Sequence, residues 1–317
     1  MVDVASAPKA PPNAALETAA ETAAAPLPTG AGATTPPSTL RRMFRHRGLT
    51  IGAFLVGTII FVALFAPLIV PHDPYAQDLT RRLIPPVWYE KGSWAHIFGT
   101  DNLGRDYFSR TLYGAQIALL IGFSVMIVSG FIGSALGLIA GYFGGKVDMV
   151  VTFFITTRLA MPVVLVALAV VAMIGSSLFV VIAVLGLLKW DRFAVVMRSA
   201  TMQVRSQEYV SAAQAAGAST WRIVIGEILP NVMPHLIVVA TVEAGSAILL
   251  EAALSFLGLG VQPPLPSWGL MISEAKNFMF FSFWLIAIPG TALALLVLGV
   301  NLLGDGLRDV FAPGGRS

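Results

Sequence analysis

The sequence predicts an all-α membrane protein with six transmembrane helices, and two observations lead to this fold class. Hydrophobic residues make up 56% of the 317 residues and charged residues only 12%, whereas soluble domains carry about a quarter charged residues. The few charges also leave long apolar stretches, and a helix needs about 20 such residues to cross the hydrocarbon layer. Six stretches approach this length, at 50–70, 115–141, 150–174, 177–197, 231–258 and 280–303.

The segments outside these spans divide the chain into four predicted parts. Residues 1–39 are rich in Ala, Pro and Thr with almost no large apolar side chains, which is typical of a disordered tail. Residues 40–114 hold the first span and a long external loop at 71–114. Residues 115–304 form the core of five spans, interrupted by a loop at 198–230, and residues 305–317 form a C-terminal tail.

The distribution of basic residues predicts the orientation in the membrane. With six spans both termini lie on the same side, and basic residues favour the cytoplasmic side. Placing both termini in the cytoplasm puts eleven Lys and Arg residues inside and six outside. A cluster of arginines directly before the first span supports the same orientation, namely Arg41, Arg42, Arg45 and Arg47.

Composition and motifs exclude several classes of function. The formal net charge of +3 is small and dispersed, so no nucleic-acid surface is predicted. The lack of cysteine excludes disulfides, iron–sulfur clusters and thiolate zinc sites. No phosphate-binding loop motif occurs, and the four histidines show no metal-ligand spacing, so neither a cofactor nor a metal site is predicted. The spans also hold no nucleophile–base pair, which argues against an intramembrane enzyme.

The loop at 198–230 has the composition of a helix, a glycine turn and a second helix. Its alanines favour helix and let another surface approach closely. Gly217 is expected to end the first helix with a positive φ angle, and Ser219 or Thr220 can cap the second helix. A passive hairpin between two spans would have the same shape. Tyr209 and Trp221 lie close to the turn in sequence and can anchor a contact with another protein.

This stretch resembles the EAA loop of binding-protein-dependent ABC importers, with its Ala-Ala, its glycine and its Leu-Pro at the family spacing. The position of the family's glutamate is Ser211 here. In that family the first helix docks into a cleft on the ATPase subunit and transmits its closure, so the resemblance implies a coupling role for residues 208–222. The implied coupling residues are Glu208, Tyr209, Ala212, Ala213, Ala216, Gly217, Ala218 and Trp221.

Three further runs resemble the peptide and nickel importers of the same family. The first runs from Phe98 to Gly114 and includes Asp101, Gly104, Arg105 and Asp106. Asp101 or Asn102 is expected to cap an interfacial helix, and Gly104 to form a tight turn. The second run, 254–269, contains Gly258, Gly260 and Trp268 and is gate-like in the family, with Trp268 expected at the outer interface. The third run is 301–309. The four runs together resemble the C-type permease subunit of dipeptide and oligopeptide importers.

This resemblance implies a type I ABC importer permease fold in the bacterial inner membrane, with one chain forming half of a translocation pathway. It implies as partners a second homologous permease, two ATPase subunits or domains that bind ATP and Mg²⁺, and an extracytoplasmic substrate-binding protein. The implied cargo is a peptide, with nickel chelates, haem or another peptide-sized ligand as alternatives. An autonomous secondary transporter is a further alternative, but no internal repeat supports it.

Charged residues inside the predicted spans are candidates for the pathway. Burying a charge in a membrane costs about 2.5–3.5 kcal/mol, so each such residue needs water or a partner. They can line a hydrated path for zwitterionic cargo, pair between helices or extend to the membrane surface. The residues are Arg158, Lys189, Asp191, Arg192, Glu243 and Glu251.

Overall fold

The computed structural model describes residues 46–311, and this part of the chain is built from helices and loops. The predicted tail at 1–39 lies outside the described residues. The helices are α1 (Arg47–Ile69), α2 (Tyr107–Phe143), α3 (Gly145–Leu159), α4 (Val163–Ile174), α5 (Leu178–Leu188), α6 (Trp190–Arg205), α7 (Glu208–Ala215), α8 (Thr220–Arg222), α9 (Leu229–Phe256), α10 (Trp268–Ala275) and α11 (Trp284–Phe311). Short 3₁₀ turns lie at Leu79–Arg81 and Lys276–Phe278, and a π-helical turn at Ile223–Ile228 joins α8 to α9.

Within residues 46–311, four continuous helical segments are long and apolar enough to cross a membrane. They are α1, α2, the segment Thr220–Phe256 that contains α8 and α9, and α11. Each coincides with one of the predicted spans, so the all-α membrane fold is confirmed.

The third predicted span, 150–174, is not one straight helix. It consists of α3 and α4, which meet at an angle of 83°. Pro162 lies at the N-cap of α4 with extended backbone angles. The helix breaks here because proline lacks the N–H group that a continuous helix would use and disfavours helical geometry in the residue before it. Pro162 marks the position of this bend in the sequence, but the apolar run does not give its angle.

The fourth predicted span, 177–197, is also divided. It covers α5 and the first half of α6, and the helices meet at Lys189, whose φ and ψ angles are −107° and 15°. Lys189 is buried, so the break places a charged side chain inside the protein. The amphipathic helix α6 then continues to Arg205, which moves the start of the predicted loop at 198 into a helix.

Two other predicted boundaries fall inside helices. The external loop ends at Asp106, because α2 already begins at Tyr107 and not after residue 114. The predicted C-terminal tail begins at residue 305, whereas α11 continues to Phe311.

Helix α2 packs along α6 through a stripe of glycines spaced four residues apart, which places them on one helix face. A Cβ atom at Gly133 would lie 2.2 Å from the carbonyl oxygen of Trp190, and a Cβ at Gly137 would lie 2.6 Å from the carbonyl oxygen of Ala194. Backbones can approach this closely only when side chains are absent. The two helices therefore form a tightly packed pair.

Large apolar side chains cover the outer surface of the helices. Phe54, Leu64 and Phe131 are each more than two-thirds exposed, at 71%, 71% and 77%. An extensive exposed apolar surface is typical of contact with lipid or with another apolar protein surface. This distribution agrees with a chain that lies in a membrane.

Candidate coupling segment and translocation pathway

The predicted coupling segment is a short helix closed by a glycine turn. Helix α7 ends at Ala215, and Gly217 follows with a φ angle of +78°. The Gly217 N–H donates to the carbonyl oxygen of Gln214 at 3.0 Å, and the Ala218 N–H donates to that of Ala213 at 3.1 Å. This pair of bonds is a Schellman motif, which needs a residue that tolerates positive φ. The prediction of a positive φ angle at Gly217 is confirmed.

A second helix follows the turn at once. The Ser219 hydroxyl accepts a hydrogen bond from the Arg222 N–H at 3.4 Å, which confirms Ser219 as a cap. The second helix does not stop at the membrane, however. It continues through the π-helical turn into α9, so that Thr220–Phe256 is a single segment of 37 residues. The coupling segment is thus directly connected to a transmembrane helix.

The outer surface of the turn consists of exposed small and aromatic side chains. Val210 is the buried residue of α7, and it packs in a cluster with Ile223 and Ile228 beneath the turn. Tyr209 is 42% exposed and Trp221 is 75% exposed. Glu208, Ala212, Ala216 and Gly217 are exposed as well, while Ala213 and Ala218 are partly covered. Within the described chain this surface therefore has nothing packed on its outer side.

Three of the predicted intramembrane charges form one group. The Lys189 Nζ atom lies 2.7 Å from an oxygen of Glu243, and the Arg192 Nε atom lies 3.5 Å from the other oxygen. Lys189 also donates to the Ser246 hydroxyl at 2.8 Å. Glu243 is 1% exposed, whereas the Arg192 side chain is 64% exposed. The group carries two positive charges and one negative charge, so it has a net positive charge and one accessible cation.

This charged group borders a cavity of about 540 Å³ between α6, α9 and α11. Arg192 and Glu243 lie on one side of the cavity, and Asp305 and Arg308 of α11 lie on another. Apolar residues of α9, including Val238 and Val242, complete the lining. The cavity thus combines apolar walls with charges of both signs.

The remaining predicted pathway charges occupy other places. Arg158 lies at the bend between α3 and α4 and donates to the carbonyl oxygen of Met161 at 3.2 Å. Asp191 is buried in the first turn of α6, where the positive end of a helix dipole favours a carboxylate. Glu251 is buried in α9 and accepts a hydrogen bond from the Ser255 hydroxyl at 2.6 Å.

The same serine holds the gate-like turn that contains Gly258 and Gly260. The Ser255 hydroxyl accepts a hydrogen bond from the Val261 N–H at 3.0 Å. Gly258 has a φ angle of +83°, and a Cβ atom at Gly260 would lie 2.0 Å from the Ser255 hydroxyl oxygen. Ser255 therefore joins Glu251 to this turn, and these residues form a closely packed connection between α9 and α10.

The external loop shares a largely buried network of four charges with α2 and α10. The Arg105 Nε atom donates to Asp101 at 2.6 Å, and its Nη2 atom donates to Glu274 of α10 at 2.9 Å. The fully buried Arg110 side chain lies 3.5 Å from both Asp101 and Glu274. The network connects the loop and the start of α2 to α10.

Two predictions for this loop have different outcomes. Gly104 has a φ angle of +74° and forms the expected tight turn. The prediction that Asp101 or Asn102 caps the helix is wrong, because the cap of α2 is Asp106, whose carboxylate accepts from the Ser109 N–H at 2.8 Å. Asp101 instead accepts from the backbone N–H groups of Leu103 and Arg105 and closes the turn.

Sequence reasoning missed some contacts between distant residues. His72 and His96, which are far apart in sequence, meet at Asp106 in the external loop. Asp148 of α3 and Arg198 of α6 form an ion pair through both oxygens of the carboxylate. Trp268, expected at the outer membrane interface, is only 3% exposed and packs in the core. None of these contacts has a signal in local spacing.

Comparisons with known families cover most of the chain. Residues 133–317 match the family described as "Binding-protein-dependent transport system inner membrane component". Residues 38–86 match the "N-terminal TM domain of oligopeptide transport permease C".

Several curated proteins are similar over nearly their full length. The dipeptide transport system permease protein DppC of Haemophilus influenzae is 39% identical over 269 residues, which are 85% of this chain and 91% of that protein. The di/tripeptide transport system permease protein DppC of Pseudomonas aeruginosa is 40% identical over 87% of this chain and 93% of its own length. The D,D-dipeptide protein DdpC of Escherichia coli, described as probable, is 39% identical over 86% of this chain and 89% of its own.

Solved structures show the same fold. A chain from inward facing conformations of the MetNI methionine ABC transporter superposes with a TM-score of 0.55 at 18% identity, covering 65% of this chain and 98% of that chain. A second crystal form gives a TM-score of 0.53. Together with the apolar helices, the family and the curated relatives identify a multi-pass inner membrane component that is a non-catalytic transport subunit. The chain belongs to the family of binding-protein-dependent transport system inner membrane components, as a C-type permease subunit of an ABC importer.

Proposed function

We propose that this permease imports peptides in a complex with a second, homologous permease, so that each of the two chains forms half of the pathway. Two of its relatives are named as dipeptide and di/tripeptide transport permeases, which supports this cargo. Two ATPase subunits or domains bind ATP and Mg²⁺ on the cytoplasmic side, and a binding protein delivers peptide on the opposite side. Both termini of the chain lie in the cytoplasm, in agreement with the excess of basic residues on that side.

The observation that carries this proposal is the coupling segment itself. A rigid glycine turn presents exposed alanines together with Tyr209 and Trp221, and it continues into the long segment Thr220–Phe256. Small side chains permit close approach of another surface, and exposed aromatic residues are frequent anchors in protein interfaces. A passive link between two spans would need neither feature. The segment therefore fits a contact with the ATPase.

The pathway contains the cavity beside Arg192 and Glu243. A peptide carries a carboxylate and an ammonium group, and this cavity holds charges of both signs next to apolar side chains. Arg192 is the accessible cation of the group with Lys189 and Glu243, and it is the residue proposed to meet the peptide carboxylate. Lys189 holds Glu243 in place from the buried side. Glu251, Gly258 and Gly260 have structural contacts instead and are not included in the proposed pathway.

Transport of a ligand panel by the reconstituted complex tests the cargo. Proteoliposomes that contain both permeases, the ATPases and the binding protein are supplied with a dipeptide, a longer peptide, a nickel chelate or haem. ATP-dependent uptake of the short peptides is expected. Uptake of only the nickel chelate or haem would assign another cargo to the same machinery. Uptake without ATP hydrolysis would contradict the proposal as a whole.

A matched pair of cysteine substitutions tests the coupling segment, since the natural chain contains no cysteine. Ala212 and Ala95 are both exposed alanines, the first in α7 and the second in the external loop. In the assembled complex, a short thiol-to-amine cross-linker at Ala212→Cys should join the permease to the ATPase. The same reagent at Ala95→Cys should not. A cross-link to the ATPase from Ala95→Cys alone would place the ATPase on the wrong side.

A further inference from the structure

Two histidines and one carboxylate lie close together in the external loop. His72 follows shortly after the end of α1, and Asp106 is the N-cap of α2. The His96 Nδ1 atom lies 2.8 Å from the Asp106 Oδ1 atom, and the His72 Nδ1 atom lies 3.8 Å from the same oxygen. One ligand atom from each of the three residues lies within 4.8 Å of the other two.

A hydrogen bond between His96 and Asp106 does not account for this whole arrangement. It satisfies one histidine, but the Nδ1 atom of His72 is buried and has no hydrogen-bond partner among the described residues. Buried polar atoms normally have a partner, and exceptions point to a missing ligand, ion or water. The side chains of His96 and Asp106 are only 8% and 1% exposed, so the unpaired nitrogen faces buried polar groups.

The carboxylate is held in position to act as a ligand. The Asp106 Oδ2 atom accepts hydrogen bonds from the Ser109 N–H at 2.8 Å and from the Ser109 hydroxyl at 2.6 Å. These bonds leave the Oδ1 atom directed toward the two histidines. Carboxylates that bind metals in proteins are usually fixed by such outer hydrogen bonds.

The surroundings have an excess of negative groups. A cavity of about 140 Å³ adjoins the cluster, and Asp73, Asp78 and Arg81 also line it. Hydrogen bonds from the Thr80 side chain and backbone hold the pKa of Asp78 below its ordinary value, so this carboxylate is ionised at neutral pH. The cavity also provides room for a water molecule as an additional ligand.

The donor set and its spacing fit a borderline divalent cation. Imidazole nitrogens and a carboxylate oxygen are ligands that Zn²⁺ prefers, and three protein ligands with one open position are common for it. Zinc bonds of about 2.0–2.1 Å in tetrahedral geometry place neighbouring ligand atoms roughly 3.3 Å apart. The two observed distances, 2.8 and 3.8 Å, lie on either side of that spacing.

We propose that His72, His96 and Asp106 form a binding site for Zn²⁺ or a similar divalent transition metal in the external loop. The metal joins the end of α1 to the start of α2 across a loop of 34 residues, the difference between positions 72 and 106. A crosslink that closes a long loop restricts the unfolded chain and thereby stabilises the folded loop. The site does not depend on the cargo of the permease.

Titration with Co²⁺, a coloured substitute for Zn²⁺, tests the site directly. The full-length chain is purified in detergent with an affinity tag that contains no histidine, stripped of metal with a chelator and titrated. One equivalent of Co²⁺ should bind with the visible absorption typical of tetrahedral coordination, and Zn²⁺ should displace it. His72→Asn should weaken binding more than about 100-fold, since even the loss of an outer-shell partner costs about 10–100-fold.

The variant is informative because His72 is partly exposed, so its substitution should leave the fold intact, which gel filtration checks. His235→Asn, a histidine in α9 outside the cluster, is the matched control and should bind Co²⁺ like the natural chain. Zn²⁺ should also raise the melting temperature of the natural chain but not of His72→Asn. Absence of stoichiometric Co²⁺ binding, or binding unchanged by His72→Asn, would overturn the proposal and leave a hydrogen-bonded histidine pair.

Discussion

The Trp268 indole N–H donates a hydrogen bond to the carbonyl oxygen of Thr111 at 2.9 Å. The same ring lies against Gly114, where a Cβ atom would be 2.6 Å from the indole. The tryptophan is thereby fixed between α10 and the start of α2, in a cluster that also contains Tyr107 and Met271. The close contact depends on the missing side chain of Gly114.

Gly114→Ala is therefore expected to destabilise the protein. The added methyl group must displace a buried indole ring, and such overpacking costs about 1–3 kcal/mol. The melting temperature in detergent, followed by tryptophan fluorescence, measures the effect. Gly57→Ala is the control, because a Cβ atom at Gly57 of α1 meets no atom within 4 Å. Equal melting temperatures for the two variants would show that the indole moves freely.

The effect of a substitution at Gly217 should depend on how well the new residue tolerates a positive φ angle. Steric clashes should not contribute, because no atom lies within 4 Å of a Cβ atom built there. Gly217→Asn should keep ATPase activity coupled to peptide binding, since Asn adopts this backbone conformation readily, and Gly217→Val should reduce coupling. Stimulation of ATPase activity by the loaded binding protein in proteoliposomes is the measurement.

Gly57→Val provides the comparison for Gly217→Val. Gly57 of α1 also has open space around it, but its backbone is helical. Coupling should survive this change, because it lies outside both the glycine turn and the π-helical turn. If both valine variants kept full coupling, the shape of the turn would not be important for ATPase contact.

Loss of charge at Glu243 is expected to damage both stability and transport. Glu243→Gln leaves Lys189 buried without its counter-charge, and breaking a buried ion pair costs about 3–5 kcal/mol. The double variant Lys189→Met with Glu243→Gln should recover much of the stability.

Arg192→Gln should affect stability little, because this side chain is 64% exposed, yet it should reduce peptide uptake. Normal uptake by a stable Arg192→Gln protein would exclude Arg192 from the pathway.

Loss of the charge on Glu274 should lower the stability of the charged network that connects the external loop to α10. Glu274→Gln takes one of two carboxylates away from the buried Arg105 and Arg110. An uncompensated buried cation is costly, so a loss of about 3 kcal/mol in unfolding free energy is expected. Glu90→Gln, an exposed acid in the same loop, should change stability by less than about 0.5 kcal/mol. Similar melting temperatures for the two variants would mean that water already reaches the arginines.

Local sequence signals predicted the features that depend on neighbours in the chain. The apolar stretches located the long helices, and the order Ala-Ala, Gly217, Ser219 located the turn and its caps, since these depend on backbone preferences of single residues. The break of the fourth span at Lys189 was missed, and the size of the bend at Pro162 could not be predicted, because an apolar run has the same composition whether it is straight or bent. Residue spacing also could not show that Lys189 meets Glu243, or that His72 meets His96, because these contacts depend on how distant helices and loop ends pack.

The π-helical turn at Ile223–Ile228 has a mechanical consequence. It lies between Trp221 and Glu243, which are 22 residues apart in one continuous helix and thus roughly 33 Å apart along its axis. A wide turn is a weak point in the hydrogen-bond ladder and often marks a functional position. If the ATPase acts on the glycine turn as proposed, the π-helical turn is the part of this helix where a movement of Trp221 would be absorbed before it reaches Glu243.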